Sequence, residues 1–312
     1  MDYRDRSRIL FAMGVLLLIV GLGFALLAPS EFYSFYLFSD GGRFHYEGFG
    51  FGSFMFANIA NQIIGYYLIA IVLIPLGYGQ VRPRRWARTL ALTLLGFWIV
   101  IGIPTGVLAL LVLFSSKDVS PAGAALAIAL SAISYLLVPG VLIWFYRSND
   151  TRSTFEARDP NSYWVERVPV PVLVLGLLLA FYAVALHIPI FLNGLFPLFG
   201  AWIYGLHGIA CLAVSVLLML FLAWGLVRQR PWAWWGSLTL LTVLTVSSVL
   251  TLSRSSFSDI LGAIHFPPTE LALSSGIPIQ GLHLTPFVGI PLLVTIALLL
   301  YSGRYFRAGR NG

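Results

Sequence analysis

Eight long apolar runs constrain this chain more than any other feature of its sequence. Each has about 20 residues, enough for a helix to cross the roughly 30 Å hydrocarbon core of a bilayer. The 312 residues are 59% hydrophobic and only 10% charged, which lies outside the range of soluble domains. We therefore predict an all-α polytopic membrane protein with eight transmembrane helices, at approximately residues 9–28, 54–76, 86–114, 122–146, 169–192, 203–226, 232–253 and 285–301.

A short basic turn occurs twice, each time between two of the predicted helices. Residues 77–87 read GYGQVRPRRWA and residues 223–233 read AWGLVRQRPWA, at a constant offset of 146. A period this long with matching flanks indicates an internal duplication. We therefore expect two tandem four-helix units in parallel orientation, residues 1–146 and 169–312, joined by a polar linker at 147–168.

Arginine and lysine residues are distributed unevenly between the two sides of the predicted helices. Sixteen of the 19 fall in the tails, the two basic turns and the linker, whereas Arg43, Lys117 and Arg254 fall on the other side. The 12 acidic residues divide equally, so the two faces carry net charges of +10 and −3. Because Lys and Arg resist translocation, we expect the basic face and both termini to be cytoplasmic.

The same charge asymmetry indicates which partners this protein has. Anionic membrane lipid is the expected partner of the basic face, and no nucleic acid is needed to explain the positive charge. The linker and the outer loops are the segments through which a protein partner could bind. Only Lys117 among the 19 basic residues is lysine, a bias typical of GC-rich prokaryotic genomes, so we expect a multi-pass protein of a prokaryotic plasma membrane.

The sequence contains little that indicates enzymatic chemistry. Cys211 is the only cysteine, which excludes an intrachain disulfide and a paired-cysteine metal site. No phosphate-binding loop or nucleophile motif is visible. None of the eight predicted cores contains Asp, Glu, Lys or Arg, one of which ion-coupled carriers usually need. We favour a non-enzymatic membrane component that binds lipid or a protein partner, with an uncoupled transporter of a neutral or apolar substrate as the alternative.

A second alternative follows from the histidines, all five of which fall on the outer side. His45 and His265, with Glu47 and Glu270, offer ligands suited to a divalent metal. His207 and one further histidine, His283, end two helices of the second unit, and histidines on facing helices can hold haem b. A single-haem or metal-binding protein therefore stays open. We also expect the outer loops, 29–53 and 254–284, to carry recognition.

Two resemblances accompany these interpretations. Residues Phe145–Leu173, which include WVERVPVPVL from Trp164, resemble the linker of a family of uncharacterised bacterial multi-pass membrane proteins. The eight-helix plan, with YGLHGIA at residues 204–210 and QGLHL at residues 280–284, is similar to haem A synthase. That second resemblance implies haem at the two histidines. It does not extend to haem A synthesis, because Asn61 stands at the equivalent first-unit position and an extracellular cysteine pair is missing.

Overall fold

A computed structural model describes residues 3–115, 120–255, 257–263 and 281–307. Within these residues, eight helical segments are long and apolar enough to cross a membrane, which confirms the all-α polytopic fold. In chain order the elements are α1 (Ser7–Phe38), α2 (Phe54–Val81), α3 (Arg85–Ser115), α4 (Pro121–Ala132), a π-helical turn (Ile133–Leu137), α5 (Val138–Arg147), α6 (Asn149–Arg158), a 3-10 turn (Trp164–Arg167), α7 (Val170–Ala185), α8 (His187–Phe191), β1 (Phe196–Leu198), β2 (Ala201–Ile203), α9 (Gly205–Val227), α10 (Pro231–Arg254), α11 (Phe257–Ala263), α12 (Gly281–Ser302) and α13 (Arg304–Arg307).

Helices α1 and α2 form the most extensively packed pair in the first unit. A Cβ atom on Gly14 would lie 2.7 Å from the carbonyl oxygen of Gly77, and one on Gly77 would lie 2.8 Å from that of Gly14. In a membrane, small residues at a helix interface let two backbones approach this closely. The buried side of α1 is accordingly narrow, and it consists of Leu10, Gly14, Gly21 and Ala28.

The largest apolar core lies in the second unit, where α7 packs on α9 and α10 packs on α12. Two polar contacts cross this core. The Trp234 indole donates to the carbonyl oxygen of Leu299 at 2.8 Å, and the Tyr182 hydroxyl lies 2.7 Å from the Thr295 hydroxyl. The two units meet through α3, which packs against α7 and α12. Helix α10, which follows the second basic turn as α3 follows the first, makes no comparably extensive contact with α1 or α4 among the described residues.

The segment at 147–168, predicted as a polar linker, contains a helix and a 3-10 turn. Helix α6 begins after Ser148, whose hydroxyl accepts from the amide of Thr151 at 3.3 Å. Phe155 is 1% exposed and belongs to the core of the first unit. The mixed charge of the segment conceals this one buried apolar side chain, because Arg152, Glu156 and Arg158 of the same helix are exposed.

The first outer loop is also shorter than the sequence indicates. Helix α1 continues to Phe38, so the loop covers 39–53 and not 29–53. The proline and polar residues from Pro29 onward resemble a helix end, but α1 includes Pro29 and continues beyond it. The Ser30 hydroxyl donates to the carbonyl oxygen of Leu27 at 2.7 Å.

A β-hairpin joins α8 to α9 and packs on the end of α10 opposite the basic turns. Its two turn residues, Phe199 and Gly200, have φ values of 44° and 100°, the positive values that a type I′ turn requires. Their amides donate to the hydroxyls of Ser247 and Thr251 at 2.9 Å each. Two hydroxyls one turn apart on α10 therefore hold the hairpin turn against that helix.

Candidate functional site

The basic face is the end of the bundle that contains residues 3–6, the turns at 77–87 and 223–233, α6 and α13. Tertiary contacts hold the N-terminal residues against α6. The Arg6 guanidinium lies 3.1 Å from the Asp150 carboxylate, and the Arg6 amide donates to the Thr154 hydroxyl at 3.0 Å. The N-terminus and the linker therefore form one surface beside the first turn.

A buried carboxylate holds the first turn. Asp159 is fully buried and accepts from the amide of Arg85 at 3.3 Å, the hydroxyl of Tyr163 at 3.0 Å and the amide of Asn161 at 3.3 Å. The guanidinium of Arg84 lies 3.6 Å away. Burial acts to raise the pKa of Asp159, but these hydrogen bonds and the nearby arginine outweigh it and hold the pKa below its usual value.

Glu166 engages the next arginine of the same turn. One carboxylate oxygen of Glu166 accepts from Nε and Nη2 of Arg85, at 3.0 and 2.6 Å. Its other oxygen accepts from the amide of Tyr163 at 3.1 Å. Arg88 donates to the carbonyl oxygen of Tyr146 at 2.8 Å. These arginines stabilise the folded linker, so they are not free to bind a ligand.

A second group of arginines on this face has a different status. Within the part of the chain that the structure describes, these side chains have no carboxylate within ion-pair distance. Each therefore has hydrogen-bond donors available to solvent or a ligand. The group consists of Arg8, Arg82, Arg147, Arg167, Arg228 and Arg230.

A cavity of about 300 Å³ opens on the basic face between the start of α1 and the end of α2. Three lining residues are apolar and two are arginines, so the cavity combines positive charge with an apolar surface. Asp5 lies beside it, where its carboxylate accepts from Arg158 Nη2 at 3.0 Å and from the amide of Ser7 at 2.9 Å. The lining residues are Ser7, Arg8, Phe11, Val81, Pro83 and Arg158.

The second basic turn carries an exposed aromatic stack. The ring of Phe221 lies between those of Trp224 and Trp232, with centroid distances of 6.0 and 4.8 Å. The guanidinium of Arg228 lies 5.7 Å from the Trp224 ring. Tryptophan is enriched where a helix meets the headgroup layer. An exposed tryptophan stack beside an arginine is therefore of the kind expected near a membrane surface.

The residues expected to form an outer metal site are dispersed where the structure describes them. His45 is exposed, and its Nδ1 lies 3.9 Å from a carboxylate oxygen of Asp40. Glu47 is exposed as well. His265 and Glu270 lie outside the described residues. Among the described residues, no three His, Cys, Asp or Glu side chains are grouped as metal ligands.

The expected haem ligands lie on two helices of the second unit. His207 is exposed in the first turn of α9, and His283 is in the first turn of α12. Helix α9 packs on α7, α8 and α10, whereas α12 packs on α3, α7 and α10. Haem b at this pair stays a prediction, and the visible absorbance spectrum of the purified protein tests it directly through the Soret band.

The cavity residues were not predicted from the sequence as a group. Arg8 and Arg158 are separated by 150 positions, and both line the cavity because α6 lies against the residues that precede α1. The arginines alone indicate only membrane topology, and Phe11 is one apolar residue among many in its run. The folded segment after the fourth span is what brings them together.

No family model, curated protein or solved structure matches this chain.

Proposed function

We propose that this protein is a non-enzymatic component of a prokaryotic plasma membrane whose basic face binds anionic lipid. In this proposal both termini are cytoplasmic, as the positive charge of the tails, turns and linker favours. The eight apolar helices make it an integral membrane protein. The proposal assigns no reaction to it.

The unpaired arginines beside exposed tryptophans are the observation that carries this proposal. Trp224 and Trp232 are 53% and 43% exposed. Arg228 and Arg230, in the same turn, have no carboxylate partner among the described residues. A basic side chain next to an anionic leaflet contributes about 1 kcal/mol to binding. Because this attraction decays over a Debye length of about 8 Å at physiological salt, only arginines near the headgroups contribute fully.

Thermal unfolding in nanodiscs of defined composition tests the proposal. We expect a higher melting temperature in discs with phosphatidylglycerol than in pure phosphatidylcholine, and we expect high salt to reduce the difference. Replacing Arg82, Arg147, Arg167 and Arg230 by glutamine should remove most of it, because none of these arginines forms an ion pair within the described chain. Equal melting temperatures in the two lipids would contradict the proposal.

We also infer that the two four-helix units are copies of one ancestral unit. At the second turn, a Cβ on Gly176 would lie 2.7 Å from Val227 Cγ2, and a Cβ on Gly14 would lie 2.9 Å from Val81 Cγ2. Val227 follows Val81 by the offset of the repeat, whereas Gly176 follows Gly14 by 162 positions. The two offsets differ by 16 because 67 positions separate Gly14 from Val81 whereas 51 separate Gly176 from Val227, so the first unit has the longer connection between its first two spans.

A further inference from the structure

We propose that the cavity between α1 and α2 is a discrete site for one anionic phospholipid, with its phosphate between Arg8 and Arg158 and an acyl chain along Phe11. This inference rests on the proposed function, because it identifies one defined place on a face that also attracts anionic lipid diffusely.

The two arginines supply the charge that a phosphodiester requires. Arg8 is exposed and has no ion pair among the described residues, so its guanidinium is free to turn toward a ligand. Arg158 donates to Asp5 through one nitrogen, Nη2. A guanidinium has five N–H donors in a planar fork, so this contact leaves others for a phosphate oxygen.

The apolar lining distinguishes a lipid from a free phosphate. Phe11 is 54% exposed and lies four residues beyond Ser7, about 6 Å further along α1 toward the membrane interior. Val81 and Pro83 extend this surface at the end of α2. A phosphate at the level of Arg8 would therefore place its first acyl carbons beside Phe11, whereas inorganic phosphate would leave that surface uncovered.

Asp5 gives the site a competitor of its own. Its carboxylate is 45% exposed and holds Arg158 at 3.0 Å, so a lipid phosphate must share or replace that contact. Asparagine at position 5 would keep an oxygen for the amide of Ser7 while it removes the negative charge. Asp5→Asn should therefore strengthen lipid binding if Arg158 belongs to an anion site. If the ion pair with Asp5 is only structural, the substitution should not strengthen binding.

Native mass spectrometry of the full-length protein with phosphatidylglycerol and phosphatidylcholine measures this binding. We expect Arg8→Gln and Arg158→Gln each to lower the affinity for the first phosphatidylglycerol about fivefold. Asp5→Asn should raise it. Arg147→Gln is the matched control, because Arg147 is exposed on the same face but does not line the cavity. Circular dichroism should show equal helix content in all variants.

A second comparison tests the acyl chain. Phe11→Ala should weaken binding of a long-chain phosphatidylglycerol more than that of a dihexanoyl analogue, since the short chains barely reach the ring. Millimolar inorganic phosphate should not displace the long-chain lipid. Displacement by phosphate, or equal losses for the two chain lengths, would overturn the assignment to a lipid.

The proposed function and this site fail in different ways. Equal loss in Arg147→Gln and Arg8→Gln, with phosphatidylglycerol still preferred, would overturn the discrete site and leave the diffuse basic face. Unchanged or weaker binding in Asp5→Asn would also overturn the site. No preference for phosphatidylglycerol in the parent protein would overturn both proposals.

Discussion

The two basic turns have the same backbone but are stabilised by different side chains. The amide of Arg84 donates to the carbonyl oxygen of Gly79 at 2.7 Å, and the amide of Arg230 donates to the carbonyl oxygen of Gly225 at 2.9 Å. A Cβ on either glycine would lie 2.6 Å from the Cβ of the alanine eight residues later, Ala87 or its counterpart in the second turn, Ala233. Glycine is therefore needed at both turns for the same close approach.

The difference lies at the residue after the second arginine. Arg85 begins α3 with an amide that needs an acceptor, and Asp159 of the linker provides one. Pro231 begins α10 and has no N–H, so that position needs no carboxylate. The first turn therefore contacts the linker through Arg84 and Arg85, whereas Arg228 and Arg230 of the second turn have no carboxylate partner among the described residues.

The largest effect should come from the phenylalanine under each turn. Phe155 belongs to the core that includes Ala87, and Phe306 belongs to the core that includes Ala233; they are 1% and 5% exposed. Phe155→Ala and Phe306→Ala should each cost about 3–5 kcal/mol of unfolding free energy. Denaturant titration in mixed micelles measures both. A cost for Phe306→Ala far below that for Phe155→Ala would show that α13 does not support the second turn as α6 supports the first.

Removing the buried carboxylate should affect only the first turn. Asp159→Ala leaves the amide of Arg85 and the hydroxyl of Tyr163 without their acceptor, which should cost about 2–3 kcal/mol. Arg230→Gln, at the position equivalent to Arg84, should cost less than about 0.5 kcal/mol, because it breaks no ion pair among the described residues. The same titration compares them. Similar costs would contradict the proposed division of roles.

The shared glycines should respond alike. Gly79→Ala and Gly225→Ala each force a methyl group against an alanine and the tryptophan before it, at distances below 3.0 Å. Overpacking of this kind should destabilise each unit by about 1–2 kcal/mol. Gly65→Ala is the control, since nothing lies within 4 Å of its added Cβ. Costs that differ widely between Gly79→Ala and Gly225→Ala would separate the two turns.

The smallest expected difference between the two turns is a loss of stability at low pH, when Asp159 beside the first turn becomes protonated. The pKa of Asp159 in the folded protein lies below the usual value of an aspartic acid, so its ionised form stabilises the fold at pH values above that usual value. This stabilisation should disappear as the pH falls from the usual value through the lowered pKa. Melting temperatures between pH 6 and pH 3 should therefore decline more steeply for the parent protein than for Asp159→Asn. Parallel curves would contradict a lowered pKa.

The sequence predicts the spans well because membrane thickness directly determines the length of apolar run that crosses it. It also predicts the two turns, since a shared offset requires no tertiary information. It does not predict the folding of 147–168, where Phe155 and Asp159 become buried only by packing beneath α1 and α3. Polar composition normally indicates solvent exposure. The sequence does not show which residues, such as Arg85 and Tyr163, become hydrogen-bond partners of the buried Asp159.

The candidate site was harder to predict than the fold. The sequence analysis predicted ligands mainly from histidines and acidic residues. His45, Glu47 and His207 are exposed side chains in the structure. The cavity instead depends on arginines that serve equally as topology signals. Arg8 and Arg158 line one cavity only because the segment at 147–168, predicted as a polar linker, folds against the residues that precede α1.

The proposal that the basic face meets the cytoplasmic leaflet is tested most directly by labelling single cysteines in intact cells. In a Cys211→Ala background, Asn161→Cys places a thiol at an exposed position of the basic face, and Gly41→Cys places one at the opposite end. An impermeant maleimide should label the Gly41→Cys protein in intact cells, and the Asn161→Cys protein only after permeabilisation. The reverse pattern would place the arginines outside and contradict the lipid-binding proposal.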